Sequence, residues 1–428
     1  ERERERERER GRSGNNRIFW RNTKMFNDCL VCDEEFRRQK QINRRIEKFL
    51  RNEKHLRKRQ IKILLLGTGE SGKSTIMKQM RIIHGENLNT EEQLENLRHI
   101  VYYNIMKGIK VLIDARSKLQ IEWENNEQQK AADLVFRSET DKLITFQYFH
   151  RYSSLIQSIW NDAGIQSTFQ KRNQFQLSDG LQYLFKNLKR ISSEKYRPSN
   201  QDLLHTRVPT RTVEEYSVDY KGISFRFIDV GGQRKQRKKW LQCFDSMLTS
   251  ILFVVSTIEY DQFLVEDCTV NRLEETLTVF DLIINSEFFR ETSIILFLNK
   301  TDLLAEKLKQ LKRKNFRPPA MYYLKDDDDD DDDLFEYDLD YDDKGDDRIR
   351  YGCGTKMLDY YFPEFDGNPT SLKQIQRFLQ NLFLCRCHNR QIYSHFTTAV
   401  DTENIKKVFN NVRETILRVN IKSIINLE

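Results

Sequence analysis

Ile61-Lys-Ile-Leu-Leu-Leu66, followed at once by Gly67-Thr-Gly-Glu-Ser-Gly72-Lys73-Ser74, is the stretch that decides the fold. A short apolar run that stops at a glycine is what a strand buried on both faces of a parallel sheet looks like. The eight residues after it fit G-x-x-x-x-G-K-[ST], and Thr75 to Ile82 read as a helix directly behind them. That order forms a phosphate cradle. The glycines let the backbone N–H groups close around phosphates, Lys73 reaches the outer ones, and the Ser74 hydroxyl is a candidate magnesium ligand. A glycine turn without function would rarely show all eight positions in this setting.

A phosphate loop does not say which nucleotide it takes, because kinases and ATPases share it. Asn299-Lys300-Thr301-Asp302 follows a second apolar run, Ile294 to Leu298. There the Asp302 carboxylate is placed to accept from N1–H and the 2-amino group of guanine, neither of which adenine offers. Between the two motifs, Asp229-Val-Gly-Gly232-Gln233 closes the run Phe225 to Ile228. Asp229 is placed to hold magnesium through water, and Gly232 leaves an N–H free for a γ-phosphate. Each short motif alone is a weak signal; together, each at a strand end, they point to GTP. Two rivals remain at this point: a P-loop kinase of a small molecule, which leaves Asp302 and Gln233 unexplained, and a catalytically silent nucleotide-binding module.

Around these motifs, 428 residues exceed one ordinary core, so two domains are expected. At 38% hydrophobic the chain has material for real cores, and its longest apolar runs fall short of the roughly 18 residues that cross a bilayer. Seven scattered cysteines fit a reducing compartment better than a disulfide framework. The net charge of +7 hides a split, since Asp326 to Asp347 holds 15 acids against one lysine and leaves +21 elsewhere. The basic remainder suits an anionic partner without choosing among membrane, nucleotide and nucleic acid. Glu-Arg repeats and Gly11 to Gly14 make a low-complexity lead. Residues 34–60 read as a basic amphipathic helix, with Ile42, Ile46, Phe49 and Leu50 on one face. Residues 90–204 lose the strand signals and read as an all-helical block, after which Phe225 to Val230, Ser250 to Val255 and Ile294 to Leu298 restore the βα alternation of a parallel sheet. Residues 307–354 are too charged to bury a core and are expected to be a disordered insertion. Ile405, Val408, Phe409, Val412, Ile416 and Val419 mark a closing amphipathic helix.

The phosphate loop, D-V-G-G-Q, N-K-T-D and Phe396-Thr-Thr-Ala399-Val-Asp-Thr402, in this order, resemble a heterotrimeric G-protein alpha subunit over roughly residues 25–306 and 354–428. Pro209-Thr210, Phe253 to Ser256 and Phe396 to Ala399 most resemble the twelve/thirteen class. The resemblance implies a Ras-like P-loop GTPase domain of α/β class (61–88 and 205–428), an inserted all-helical domain (89–204) lidding the nucleotide, and an N-terminal amphipathic helix (34–60). The 133 positions between Ser74 and Arg207 are then the room the lid needs.

It also implies roles that spacing does not. Arg207, otherwise one of 72 basic side chains and most simply a solvated loop residue, matches the arginine supplied in cis. Gln233 matches the residue that orients the attacking water, Thr210 the second hydroxyl ligand of Mg²⁺, and Ala399 an N–H donor to the guanine carbonyl. Nucleotide-binding positions carried over are Gly67, Thr68, Gly69, Glu70, Ser71, Gly72, Lys73, Ser74, Thr75, Leu204, Arg207, Thr210, Asp229, Gly232, Asn299, Lys300, Asp302 and Ala399. Implied cofactors are GTP/GDP and Mg²⁺. Implied partners are a beta-gamma dimer, a G protein-coupled receptor and an effector of the Rho guanine-nucleotide exchange factor type, with no nucleic acid. Cys29 and Cys32, in the 1–33 segment, are implied palmitoylation sites for a membrane anchor at the cytoplasmic face of the plasma membrane; the alternative, half of a zinc site completed by Cys385, Cys387 and His388, is disfavoured because a single residue between Cys385 and Cys387 is poor zinc spacing. The chain departs from the family at Thr212, where glycine is usual, at Lys189, where aspartate is usual, and in the acidic insertion, which has no family counterpart.

Overall fold

A computed structural model describes residues 37–49, 60–85, 90–140, 143–220, 222–244, 248–264, 266–313, 357–387 and 390–425, apart from the side chains of 313 and 419–425. By compactness the chain divides between Gln60 and Ile61. In the first unit, α1 spans 37–49 and carries Ile42, Ile46 and Phe49 exposed. The other residues read as part of that helix, 34–36 and 50–59, lie outside the described set.

In the second unit, β1 (Ile61–Leu66) leads into α2 (Lys73–Ile83). There follow the helices α3 (Glu91–Lys118), α4 (Asn126–Arg137), α5 (Phe146–Asn161), α6 (Ala163–Gln170), α7 (Leu181–Lys186), α8 (Leu188–Ile191) and α9 (Asn200–His205). Strand β2 (Glu214–Tyr220), β3 (Ile223–Asp229), β4 (Ser250–Ser256), α10 (Arg272–Ile284), β5 (Ser293–Asn299) and α11 (Thr301–Arg313) come next. Helices α12 (Leu358–Tyr361) and α13 (Leu372–Leu384), β6 (Ile392–Thr397) and α14 (Thr402–Ile425) complete the chain.

The six strands form one sheet in the order β2-β3-β1-β4-β5-β6, parallel except for β2, which runs antiparallel to β3. Its central strands β1 and β4 are buried along their whole length and mostly apolar because both faces are covered. Ile61, Ile63 and Leu65 point into a core shared with Ile76 and Met80 of α2 and Phe409 and Ile416 of α14. Leu64 and Leu66, one residue out of phase, point into the opposite core with Phe280 of α10, Leu304 of α11 and Phe383 of α13. A third core, built from Val101, Ile105 and Ile109 of α3, Phe149 and Ile156 of α5 and Phe185 of α7, belongs to the helices alone. β1 neighbours β3 on one side and β4 on the other, so its carboxyl end is the point where the strand order reverses, the natural ligand crevice of such sheets.

Three features differ from the sequence reading. The sheet is mixed, because β2 is an amphipathic edge on which only Tyr216 and Val218 are buried, too polar to announce itself. β6 is a second unread edge strand, interrupted by Ser394 and His395. Helix α11 runs to Arg313, so residues 307–313 of the stretch read as a disordered insertion are helical, with Leu308 and Leu311 in the core. Residues 314–354 lie outside the described set.

Candidate functional site

Every parallel strand delivers a loop to the same edge of the sheet. After β1 the loop turns through left-handed conformations at Gly67 (φ 135°), Glu70 (φ 67°) and Gly72 (φ 105°). Glycine is required at both Gly67 and Gly72: a Cβ would strike the Val254 carbonyl oxygen at the first and Asn299 Nδ2 at the second. Gly72 is also the N-cap of α2, so the first N–H groups of that helix open toward the cleft. Thr68 and Ser71 are buried, Thr68 Oγ1 lying 2.8 Å from Thr276 Oγ1 of α10.

Lys73 is 5% exposed, and its Nζ donates to the carbonyls of Gly67 at 3.0 Å and Thr68 at 2.7 Å. Burial pulls its pKa down to about 8, against the pull of Asp229 and Glu259. Ser74 joins two other elements: its hydroxyl donates to Asp229 Oδ2 at 2.6 Å and lies 2.8 Å from Thr210 Oγ1. Asp229 is fully buried at the end of β3, and its Oδ1 has no hydrogen-bond partner. Burial raises its pKa, opposed by Lys73. Two hydroxyls beside a carboxylate with an unused buried oxygen make a hard-oxygen donor set of the kind magnesium takes. Among the described residues no group of three or more His, Cys, Asp or Glu is placed to hold a metal, so any such ion would depend on hydroxyl and phosphate oxygens. Gly232 packs directly on this cradle, where a Cβ would collide with Lys73 Nζ and the Gly67 carbonyl.

Across the cleft, Asn299 is 1% exposed and donates through Nδ2 to the Ser71 carbonyl at 2.8 Å. Its Oδ1 accepts from the Ala399 N–H at 3.0 Å and Thr397 Oγ1 at 3.2 Å. One side chain therefore fastens the phosphate loop to the loop after β6. Lys300, at φ 65°, reaches Asp179 with Nζ 2.6 Å from Oδ2. Burial alone would lift the Asp179 carboxyl, but Lys300 holds it below the usual range. Asp302 is exposed at the mouth of the cleft beside Lys300, Leu303 and Ala399.

Arg207 comes in from the helical side. Its guanidinium pairs with Glu70, which also accepts from Gln176 Nε2 at 2.6 Å and lies 3.4 Å from Arg272. Gln233 is exposed over Gly69 and faces the same cleft, as do Thr75, Leu204 and Thr210. Most of the nucleotide-site candidates line one crevice; Gly67, Thr68, Ser71 and Asp229 do not line it but are buried and bonded to the lining residues Lys73, Ser74 and Asn299. Cys29 and Cys32, together with His388, lie outside the described residues. Lys189 is exposed, and it is its neighbour Arg190 that grips buried Asp202 at 2.6 and 3.0 Å; Thr212 is also exposed.

A family model of the G-protein alpha subunit matches residues 40–339. The chain belongs to the G-protein alpha-subunit family. Guanine nucleotide-binding protein subunit alpha-13 of Homo sapiens is 39% identical over 408 residues, 93% of this chain and 96% of that protein. The alpha-12 subunit of Rattus norvegicus is 40% identical over 386 residues, 89% of each, and that of Caenorhabditis elegans 40% over 400, 92% of this chain and 99% of the relative. As an alpha subunit of a heterotrimeric G protein, the chain is a guanine-nucleotide-binding GTPase that relays signals among receptor, beta-gamma dimer and effector at the membrane periphery. No helix among the described residues is long and apolar enough to cross a membrane. Both rival readings, the small-molecule kinase and the silent binding module, are displaced by the family.

Residues that sequence reasoning missed are those supplied by folding. Asp179, Gln176, Lys78 and Arg272 all border or brace the cleft, yet each sits in a stretch without a motif. Only the Ser178-Asp-Gly180 turn offered a local signal, and nothing in it points to Lys300.

Proposed function

We propose that the alpha-subunit cleft works as follows. The N–H groups from Gly67 to Thr75 wrap the phosphates, and Lys73 exchanges its two carbonyl partners for phosphate oxygens. Asp302 reads the guanine N1–H and 2-amino group, Lys300 and Ala399 flank the base, and Leu204 borders the sugar side. Ser74 and Thr210 would hold Mg²⁺, with Asp229 behind them through water, and the ion would supply positive charge to offset that of the phosphates. Gln233 orients the attacking water, and Arg207 leaves Glu70 to meet charge developing on the γ-phosphoryl and leaving oxygens, where a fixed cation is worth most. The observation that carries this reading is the Ser74 hydroxyl set between Thr210 and Asp229, three segments far apart in sequence meeting beside Lys73.

The proposed division into a GTPase domain (61–88 and 205–428) and a helical lid (89–204) is supported by the separate helical core, with the Lys300–Asp179 pair joining the two parts. Identity of about 40% to the alpha-12 and alpha-13 subunits supports placement in the twelve/thirteen class, and a Rho guanine-nucleotide exchange factor is the effector proposed with that class. The exposed apolar face of α1 suits a beta-gamma dimer. Palmitoyl chains on Cys29 and Cys32 would anchor the chain at the cytoplasmic face of the plasma membrane, since a basic helix alone binds weakly.

Single-turnover GTP hydrolysis by Arg207→Cys and Gln233→Leu tests the mechanism. Both should bind GTP nearly as the parent does and hydrolyse it slower by about 100-fold or more. Parental rates in both would overturn it.

A further inference from the structure

The segment that carries Arg207, from Thr206 to Val213, lies between α9 and β2 and belongs to neither. The Thr206 N–H still closes the last turn of α9 on the Asp202 carbonyl at 3.0 Å, but from Arg207 onward the segment lies in neither a ladder nor a helix, and side chains hold its main chain. From the sheet side, Lys78 of α2 donates through Nζ to the carbonyls of Leu203 and Thr206, both at 2.9 Å. From the helical side, Asn104 of α3 accepts the Arg207 N–H on Oδ1 at 2.9 Å and donates Nδ2 to the Arg207 carbonyl at 3.1 Å.

An amide that bonds both the N–H and the C=O of one residue constrains that residue's two backbone dihedrals together, as a neighbouring strand would. Asn104 is itself fixed, being 7% exposed, with Nδ2 also donating to the Ile100 carbonyl one turn back at 2.8 Å. Its helix neighbours Val101, Ile105 and Gly108 are buried, so a residue needed only to fill this face would be apolar. Asparagine disfavours helix interiors and must satisfy its amide when buried. Here most of that amide's capacity is spent on a residue 103 positions away.

We infer that Asn104 is a positioning residue for Arg207. By setting the Arg207 peptide it sets where the guanidinium arrives when the side chain leaves Glu70, so the helical layer contributes directly to hydrolysis without touching the reacting atoms. The inference rests on Arg207 acting as the charge-stabilising group.

The test is a double-mutant cycle in single-turnover GTP hydrolysis on the full chain, using Asn104→Ala, Arg207→Ala and the pair. A first-order single-turnover constant does not depend on how much of the protein is folded. Asn104→Ala should slow hydrolysis by roughly 10- to 100-fold, the scale of a displacement near 1 Å at a reacting centre. Its GTP affinity should stay within about threefold, because Asn104 does not line the cleft. In the Arg207→Ala background the same change should cost nothing further. Asn104→Asp is isosteric and keeps the acceptor for the Arg207 N–H but aims an oxygen at the Arg207 and Ile100 carbonyls; it should slow hydrolysis by at least about 10-fold when Arg207 is present and by nothing further in the Arg207→Ala background, and it stands in if the alanine variant fails to load nucleotide. Equal slowing by Asn104→Ala in both backgrounds, or no slowing in either, overturns the inference while leaving the role of Arg207 intact. A parental rate in Arg207→Ala would instead overturn the reading of Arg207 itself.

Discussion

Replacing Asn299 by alanine would show whether the nucleotide cleft is assembled by bonds internal to the protein. Asn299 makes three such bonds, to the Ser71 carbonyl, the Ala399 N–H and Thr397 Oγ1, at 2.8, 3.0 and 3.2 Å. Each is worth about 0.5–1.5 kcal/mol net, and the buried Ser71 carbonyl and Ala399 N–H would additionally be left without this partner at about 1–3 kcal/mol each. These costs overlap, so a loss of about 3 kcal/mol is the reasonable expectation. The bonds join the phosphate loop, the end of β5 and the loop after β6, which meet at the cleft and lie above the two sheet cores. The loss should therefore fall mainly on the nucleotide-competent arrangement, where about 3 kcal/mol is roughly a 150-fold weakening. Fluorescent GDP titration gives the affinity, and thermal unfolding with and without saturating GDP separates cleft from core. Asn299→Asp sharpens the result: it keeps both acceptor contacts but aims an oxygen at the Ser71 carbonyl, so the damage should concentrate on the phosphate loop. GDP affinity within about threefold of the parent, together with a lowered melting temperature without nucleotide, would refute the reasoning, because Asn299 would then support only the fold.

Other outcomes are expected from the same geometry. Buried Asp202 is held ionised by Arg190 and by the Ser199 N–H and hydroxyl; burial alone would raise its pKa, and these bonds bring it below the usual value. A depressed folded-state pKa stabilises above the unfolded carboxylate range, and that stability is lost as pH falls through about 4 and below. Asp202→Asn should thus lower the melting temperature at neutral pH and flatten its acid limb; acid limbs parallel to the parent's would count against this. Asp302→Asn should weaken GTP and favour a xanthine nucleotide, whose 2-oxo group accepts from an amide, and unchanged relative affinities would remove Asp302 from base recognition. Cys29→Ser with Cys32→Ser should shift the chain to the soluble fraction with nucleotide binding intact, and full membrane retention on fractionation would exclude acylation as the anchor.

Local sequence determined the parts of this protein whose chemistry is local. The run Ile61 to Leu66, the left-handed positions at Gly67 and Gly72, and the Lys73-Ser74 pair are legible because strand burial, backbone conformation and helix capping act between residues a few positions apart. Asp229, Gly232, Asn299 and Asp302 were legible because strand ends in a parallel sheet share one edge, so each could be assigned to that edge without coordinates. Arg207 was not readable from composition or spacing; only the family resemblance singled it out, since its surroundings come from Glu70, Lys78 and Asn104, more than a hundred residues away in sequence. The edge strands β2 and β6 escaped for a related reason: half-exposed strands have no continuous apolar run, and their pairing is decided by the neighbours β3 and β5. Tertiary structure alone decided that Asn299 is spent on binding the cleft together, that Asp179 meets Lys300, and that a single asparagine on α3 holds both sides of the Arg207 peptide. Such bonds depend on which segments fold against each other, and no periodicity or short motif encodes a partner that distant.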